Sequence, residues 1–261
     1  MSDVTDFSVG ASGDAAEQIR YLDGVAQLGA QAKEATFAMQ GIVGNSRVLD
    51  CGCGVGDDVR AIAARIGEGG MVVGIDANEA LVAAAIARGV PANARFAVAN
   101  AETLSFPDAS FDAVRAERLL QHLADPQSAV KEMYRVLAPG GSLLAIDQDW
   151  QSIIVAGGDR TITRRVVDAF VDSLADGWAG RRHREHFVGA GFTQIESRPF
   201  VTSLSFAHAY AFVLESAIAA AVRSGRLERD EADAWVRGLL AADARGTFFY
   251  GVTVFLTVAV R

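Results

Sequence analysis

Val48-Leu49-Asp50-Cys51-Gly52-Cys53-Gly54-Val55-Gly56-Asp57-Asp58 runs from a short apolar strand into a turn with glycine at alternate positions, then into the helical pattern Val59, Ile62, Ala63, Ile66. Glycine supplies positive φ and, lacking a Cβ, lets the backbone approach a ligand, while the following helix points free N–H groups at whatever fills the turn. The stretch therefore predicts a nucleotide-sized crevice. A dinucleotide fingerprint would need a third glycine where Asp57 stands, and a carboxylate there opposes pyrophosphate. A ligand without phosphates fits better. Moving outward, Met71 to Asp76 is a second apolar strand whose terminal acid, with Ala77 beside it, lies twenty residues after Gly56. Open α/β folds place there a carboxylate that accepts both ribose hydroxyls. A third strand, Phe96 to Ala99, ends in Asn100-Ala101-Glu102.

Through Asp50-x-Gly52-Cys53-Gly54-x-Gly56, Asp76, Asn100-Ala101-Glu102, Phe111-Asp112-Ala113-Val114 and Leu137-x-Pro139-Gly140-Gly141, the chain resembles the class I S-adenosylmethionine-dependent methyltransferases over about residues 45 to 148. The resemblance implies an α/β fold: a Rossmann-like, seven-stranded mixed sheet with an antiparallel last strand and helices on both faces. It implies S-adenosyl-L-methionine as cofactor and S-adenosyl-L-homocysteine as product. Carried over by position, it implies cofactor contacts from Asp50, Gly52, Cys53, Gly54, Gly56, Asp76, Ala77, Asn100, Ala101, Glu102, Glu117, Arg118 and His122. Tyr21 sits in a Tyr-Leu-Asp triplet that some small-molecule members have near the methionine end of the cofactor. It is either a further contact or a helix tyrosine packed on the core.

The chain's 261 residues, 51% hydrophobic, suffice for one large domain or a core domain carrying an insertion. A net charge of −8 argues against a nucleic-acid partner, which would demand basic clusters, and favours a small-molecule acceptor. A homodimer stays open. Cys51 and Cys53 are too close for a relaxed disulfide and make a poor zinc site, as expected of a cytoplasmic protein without a metal. The opening residues lack the pattern of a secretory signal. The longest apolar run, Phe248 to Val260, is too short to span a bilayer and reads as a buried strand, so no membrane partner is expected.

Residues 1–44 read as a helical cap that in the resembling family folds over cofactor and substrate, residues 45–150 as the cofactor-binding core, and residues 151–261 as the rest of the sheet. After the fourth strand, Glu117-Arg118-Leu119-Leu120-Gln121-His122 should line the side where the methyl group meets its acceptor. His122 is a candidate catalytic base or a positioning residue. After a helix from Ser128 to Leu137, strand five should cover Ser142 to Ile146. It delivers Asp147 and Asp149, either catalytic carboxylates in the acceptor wall beside Trp150, or a helix cap and a core tryptophan. Arg181 to His186 reads as a solvated basic face rather than a metal site. Two amphipathic helices between about residues 203 and 245 form an insertion longer than a connection needs, and are expected to be a lid over the acceptor. Methyl transfer to a small metabolite or natural-product intermediate follows. The alternatives are a cofactor-retaining enzyme of cyclisation or rearrangement, and a non-catalytic binding module.

Overall fold

The computed structural model describes residues 15–261, with side chains given for only part of the first helix, α1 (Ala15–Met39). Strands β1 (Arg47–Cys51), β2 (Met71–Asp76), β3 (Ala94–Val98) and β4 (Phe111–Glu117) alternate with α2 (Asp57–Ile66) and α3 (Glu79–Ala87). After β4 come a single 3-10 turn at Leu120–His122, α4 (Pro126–Val136) and β5 (Leu137–Ala156). The chain continues through α5 (Arg160–Asp172), α6 (Ala179–Ala190) and β6 (Thr193–Leu204). Next follow α7 (Phe206–Ala209), a π-helical turn at Tyr210–Leu214, α8 (Glu215–Arg223), α9 (Arg229–Ala244) and β7 (Phe249–Val260). The strands form one sheet in the order β3-β2-β1-β4-β5-β7-β6, with β1 to β5 parallel and β7 antiparallel to both neighbours.

Local chemistry starts the helices where the loops must turn. α2 begins behind Gly56, at φ +82°, with Asp57 and Asp58 in the first turn, where carboxylates suit the helix dipole. Asn78 caps α3 by accepting from the Ala80 N–H at 3.0 Å, and Asp125 caps α4 ahead of Pro126. On one face of the sheet α4 and α6 bury Val130, Met133, Val136 and Phe187 against Leu143 and Val114; on the other, Phe37 and Ile42 meet Val59, Ile62 and Val48.

β5 runs well past the expected Ile146. A register shift between Asp149 and Ile154 is bridged by Ser152, whose Oγ accepts from the Thr253 N–H at 2.8 Å, and pairing with β7 resumes through Ile154↔Gly251 and Ala156↔Phe249. Residues 154–156 are held as strand because β7 extends far enough to pair with them. This antiparallel arm carries its own core, in which Trp150, Phe170, Val213, Leu214, Ile218, Trp235, Leu239 and Tyr250 pack together. The inserted helices form where expected. Phe206–Arg223 is long and apolar enough to cross a membrane by length and composition, and its Ala209, Val213, Leu214, Ala217 and Ile218 lie in that core.

The solvated face expected over Arg181 to His186 holds for Arg181, Arg184 and Glu185, which are exposed, but not for the two histidines. His183 and His186 are buried, because α6 lies across β5 and β7 and residues three apart share its inner face. His183 Nε2 lies 2.9 Å from Asp147 Oδ2, and its Nδ1 lies 3.2 Å from Thr257 Oγ1.

Candidate active site

The carboxyl ends of β1, β2 and β4 open on a cavity of about 320 Å³. Gly52 and Gly54 line it from the glycine turn, Ile75, Asp76, Ala77 and Asn78 from the end of β2, and Ala99, Asn100 and Ala101 from the loop after β3. Glu117, Arg118, Leu119, Gln121, His122 and Leu123 face it from beyond β4, and Gln18 and Leu22 of α1 close it. A smaller recess of about 50 Å³ shares Gly52, Gly54, Glu117 and Arg118 and adds Lys33, Asp50, Cys53, Asp57 and Asp58.

Hydrogen bonds between loops hold the turn open. The N–H groups of Gly52 and Cys53 both donate to the Ile75 carbonyl, at 2.8 and 2.9 Å. The Asp76 carboxylate accepts from the Gly54 N–H at 2.9 Å and, on its other oxygen, from the Asn78 N–H at 2.9 Å. Gly54 lies at φ +53°, and a Cβ there would stand 3.1 Å from Leu22. Gly56 has a different reason to be glycine: a Cβ would strike the Phe96 ring at 2.5 Å, and the residue is absent from the cavity wall. Burial pushes the Asp76 carboxyl up, against the pull of its N–H donors.

Beneath the turn lies a buried charge network. Lys33 donates to Asp58 at 2.6 Å and stands 3.7 Å from Glu117. The buried Arg115 stacks over the Phe37 ring at 4.6 Å, donates to Gln40 Oε1 at 2.7 Å, and lies 3.7 Å from Asp58. Burial followed by the charge of Asp58 pushes Asp50 up to about 8, against Arg115 and Lys33. Burial works in the same direction on Asp58, but Lys33 and Arg115 hold it below its ordinary value. Burial also raises Glu117. The Oε2 of Glu117 has no hydrogen-bond partner among the described residues.

Of the residues expected from sequence, Gly52, Gly54, Asp76, Ala77, Asn100, Ala101, Glu117, Arg118 and His122 meet in the cavity, and Asp50 and Cys53 reach the recess. Glu102 lies outside both, its carboxylate accepting from the Asp125 N–H at 2.9 Å. The Tyr21 side chain lies outside the described residues. Asp147 and Asp149 line neither space: the first is buried against His183, and the second pairs with Arg181 at 2.7 Å. Trp150 packs edge-on to Phe170, with ring centroids 5.3 Å apart, and donates its indole N–H to Gln121 at 2.8 Å. The sequence reading missed Gln18, Leu22 and Lys33. It also missed Arg115, whose one signal was a guanidinium inside an apolar strand.

The residues fit S-adenosylmethionine. Two glycines give its backbone-side wall no Cβ, Asp76 offers a carboxylate for hydroxyls, and Leu81, Ala99 and Leu119 are apolar enough to take a base. The carboxylates of Asp58 and Glu117, with the buried carboxyl group of Asp50 beside them, complement a cationic end.

A family model described as a methyltransferase domain matches residues 49–145. An uncharacterized 37.1 kDa protein in transposon TN4556 of Streptomyces fradiae is 32% identical over 253 residues, covering 93% of this chain and 71% of that protein. The ubiquinone/menaquinone biosynthesis C-methyltransferase UbiE of Hydrogenovibrio crunogenus is 36% identical over 119 residues. That match spans 44% of this chain and about half, 47%, of the enzyme's length. Among solved structures, the YcgJ protein of Bacillus subtilis superposes with a TM-score of 0.62 at 18% identity, covering 89% of this chain and 98% of the other, a likeness of fold. Glycine turn, strand-end acid, anionic recess and these relatives agree, and the chain belongs to the class I S-adenosylmethionine-dependent methyltransferases.

Proposed function

We propose that this enzyme transfers a methyl group to an oxygen, nitrogen or carbon atom of a small-molecule acceptor, working in the cytoplasm. The observation that carries the reading is the single cavity wall in which Gly52, Gly54 and Asp76 stand on one side and Gln121 and His122 on the other. Its size is that of a small-molecule site, and the net charge of −8 disfavours a nucleic-acid substrate. The bound cofactor supplies a methyl group on a sulfonium, already activated for displacement. The chain's own residues then bind, orient and exclude water. Asp76 holds hydroxyls, the Asp50–Asp58–Glu117 recess holds the cationic end, and α1 closes the cavity through Gln18 and Leu22, so that proximity supplies much of the rate. Asp147 and Asp149, already paired, act on the site by holding neighbouring elements in place.

Calorimetry with S-adenosylhomocysteine, followed by mass spectrometry of candidate metabolites incubated with methyl-labelled cofactor, tests this. Binding and a product heavier by one labelled methylene are expected. Binding with conversion of a metabolite that carries no label would replace methyl transfer by a cofactor-retaining rearrangement.

A further inference from the structure

Gln121 is held on every side. Its backbone N–H faces Asp147 Oδ1 at 3.5 Å, its carbonyl accepts from the Asp176 N–H at 3.2 Å, and its side chain lies between Trp150 and His122. An indole nitrogen can only donate, so the side-chain oxygen of Gln121 must be the atom facing Trp150, 2.8 Å away. The amide nitrogen is thereby turned toward His122, where it stands 3.1 Å from Nε2. An amide nitrogen also only donates, so His122 Nε2 must present its lone pair, and in the neutral ring the proton sits on Nδ1. Among the described residues Nδ1 has no partner, and the ring faces the cavity.

We propose that Gln121 is a positioning residue that, oriented by Trp150, locks His122 as the Nδ1–H tautomer, so that His122 meets the acceptor as a hydrogen-bond donor and not as its base. Burial favours the neutral ring, opposing the charge of Asp147 and reinforced by that of Arg118, the charged groups that act on it. This deepens the methyl-transfer reading and rests on it only for the identity of the acceptor. The acceptor class that fits brings its own lone pair to the methyl group, without losing a proton to His122, and offers an oxygen or nitrogen lone pair to Nδ1–H.

Long-range 1H–15N correlation spectra of the full chain read the tautomer directly. The chain has only four histidines, and His122→Asn assigns the signal. The expected spectrum at neutral pH shows a protonated Nδ1 and a bare Nε2; a proton on Nε2, or a charged ring, overturns the proposal. In Gln121→Glu the carboxylate can still accept from Trp150 but has no proton to give His122, so the ring proton should move to Nε2. Persistence of the Nδ1–H form in a folded Gln121→Glu protein would equally overturn it. Trp150→Phe, which keeps an aromatic ring in the core, should free the amide to turn and yield both tautomers, whereas an unchanged single Nδ1–H form there would remove Trp150 from the device. None of these spectra needs a substrate. Failure to bind S-adenosylhomocysteine would sink the methyl-transfer reading and leave this one standing, while a wild-type Nε2–H ring would do the reverse.

Discussion

The glycine-turn half and the antiparallel arm are built on opposite plans. In the first, β1 to β4 are strands of five to seven residues, and the loops at their carboxyl ends supply most of the cavity wall. In the second, β5, β6 and β7 run for 20, 12 and 12 residues, carry an aromatic core of their own, and contribute nothing to the cavity lining. One half spends its side chains on a ligand and the other on itself. One of the points where they meet is Trp150, whose ring belongs to the arm's core and whose N–H holds a residue of the cavity wall.

If that division is right, damage should stay on its own side. The largest effect on binding is expected from Gly54→Val, which puts a β-branched side chain at φ +53° against Leu22; calorimetry should find no S-adenosylhomocysteine binding while circular dichroism finds the sheet intact. Retained binding would break the comparison at its firmest point. Trp235→Ala, in the arm, should lower unfolding free energy by ~3–5 kcal/mol in chemical denaturation. At a temperature where the variant is folded, its affinity should stay within about tenfold, ~1.4 kcal/mol, of the parent. A greater loss would show the arm to be part of the cofactor site.

Asp76→Ala comes next. It removes the acceptor for two backbone N–H groups as well as for ligand hydroxyls, and charged hydrogen bonds are worth ~1.5–3 kcal/mol each, so affinity should fall on the order of a hundredfold with a smaller drop in melting temperature. Unchanged affinity would take the carboxylate out of the site. A further effect concerns pH. A carboxyl raised to about 8 on folding binds a proton more readily in the native state than in the unfolded chain. Its stabilisation is therefore complete below the ordinary aspartate value and is lost as pH rises through about 8, with a slope of at most roughly 1.4 kcal/mol per pH unit. Asp50→Asn should flatten that decline between about pH 5 and about pH 8, relative to the parent, in the ligand-free protein. Parallel curves for the two proteins would leave Asp50 without this role.

The same division explains what could be read beforehand. Gly52, Gly54 and Asp76 are legible because their meaning is local: alternate glycines after an apolar strand, and an acid ending the next one. The network under them is not, because Lys33, Asp58 and Arg115 come from three distant elements and do not point to one another until α1 is laid on the sheet. Asp147 reads equally well as a catalytic carboxylate or a structural one. What distinguishes the two is His183, 36 positions away in a run whose arginines make the whole helix look solvated. Gln121 and Trp150 are 29 residues apart, and their pairing depends on β5 continuing as strand beyond Ile146.

The unbroken course of β5 also has a mechanical consequence. The strand is a single beam, clamped at one end between β4 and β7 and carrying the arm at the other, with Ser152 stitching the irregularity between Asp149 and Ile154 to β7. Swinging the arm away from the cavity would mean unzipping the β5–β7 ladder, whereas the opposite wall is also fastened by discrete side-chain clasps. These are Lys33 to Asp58, Gln18 to Asn78, Arg88 to Asp23 and Arg65 to Glu34, the last two being surface ion pairs weakened by salt. The compliance of this molecule is therefore concentrated in α1, and raised ionic strength should loosen that wall long before it disturbs the beam.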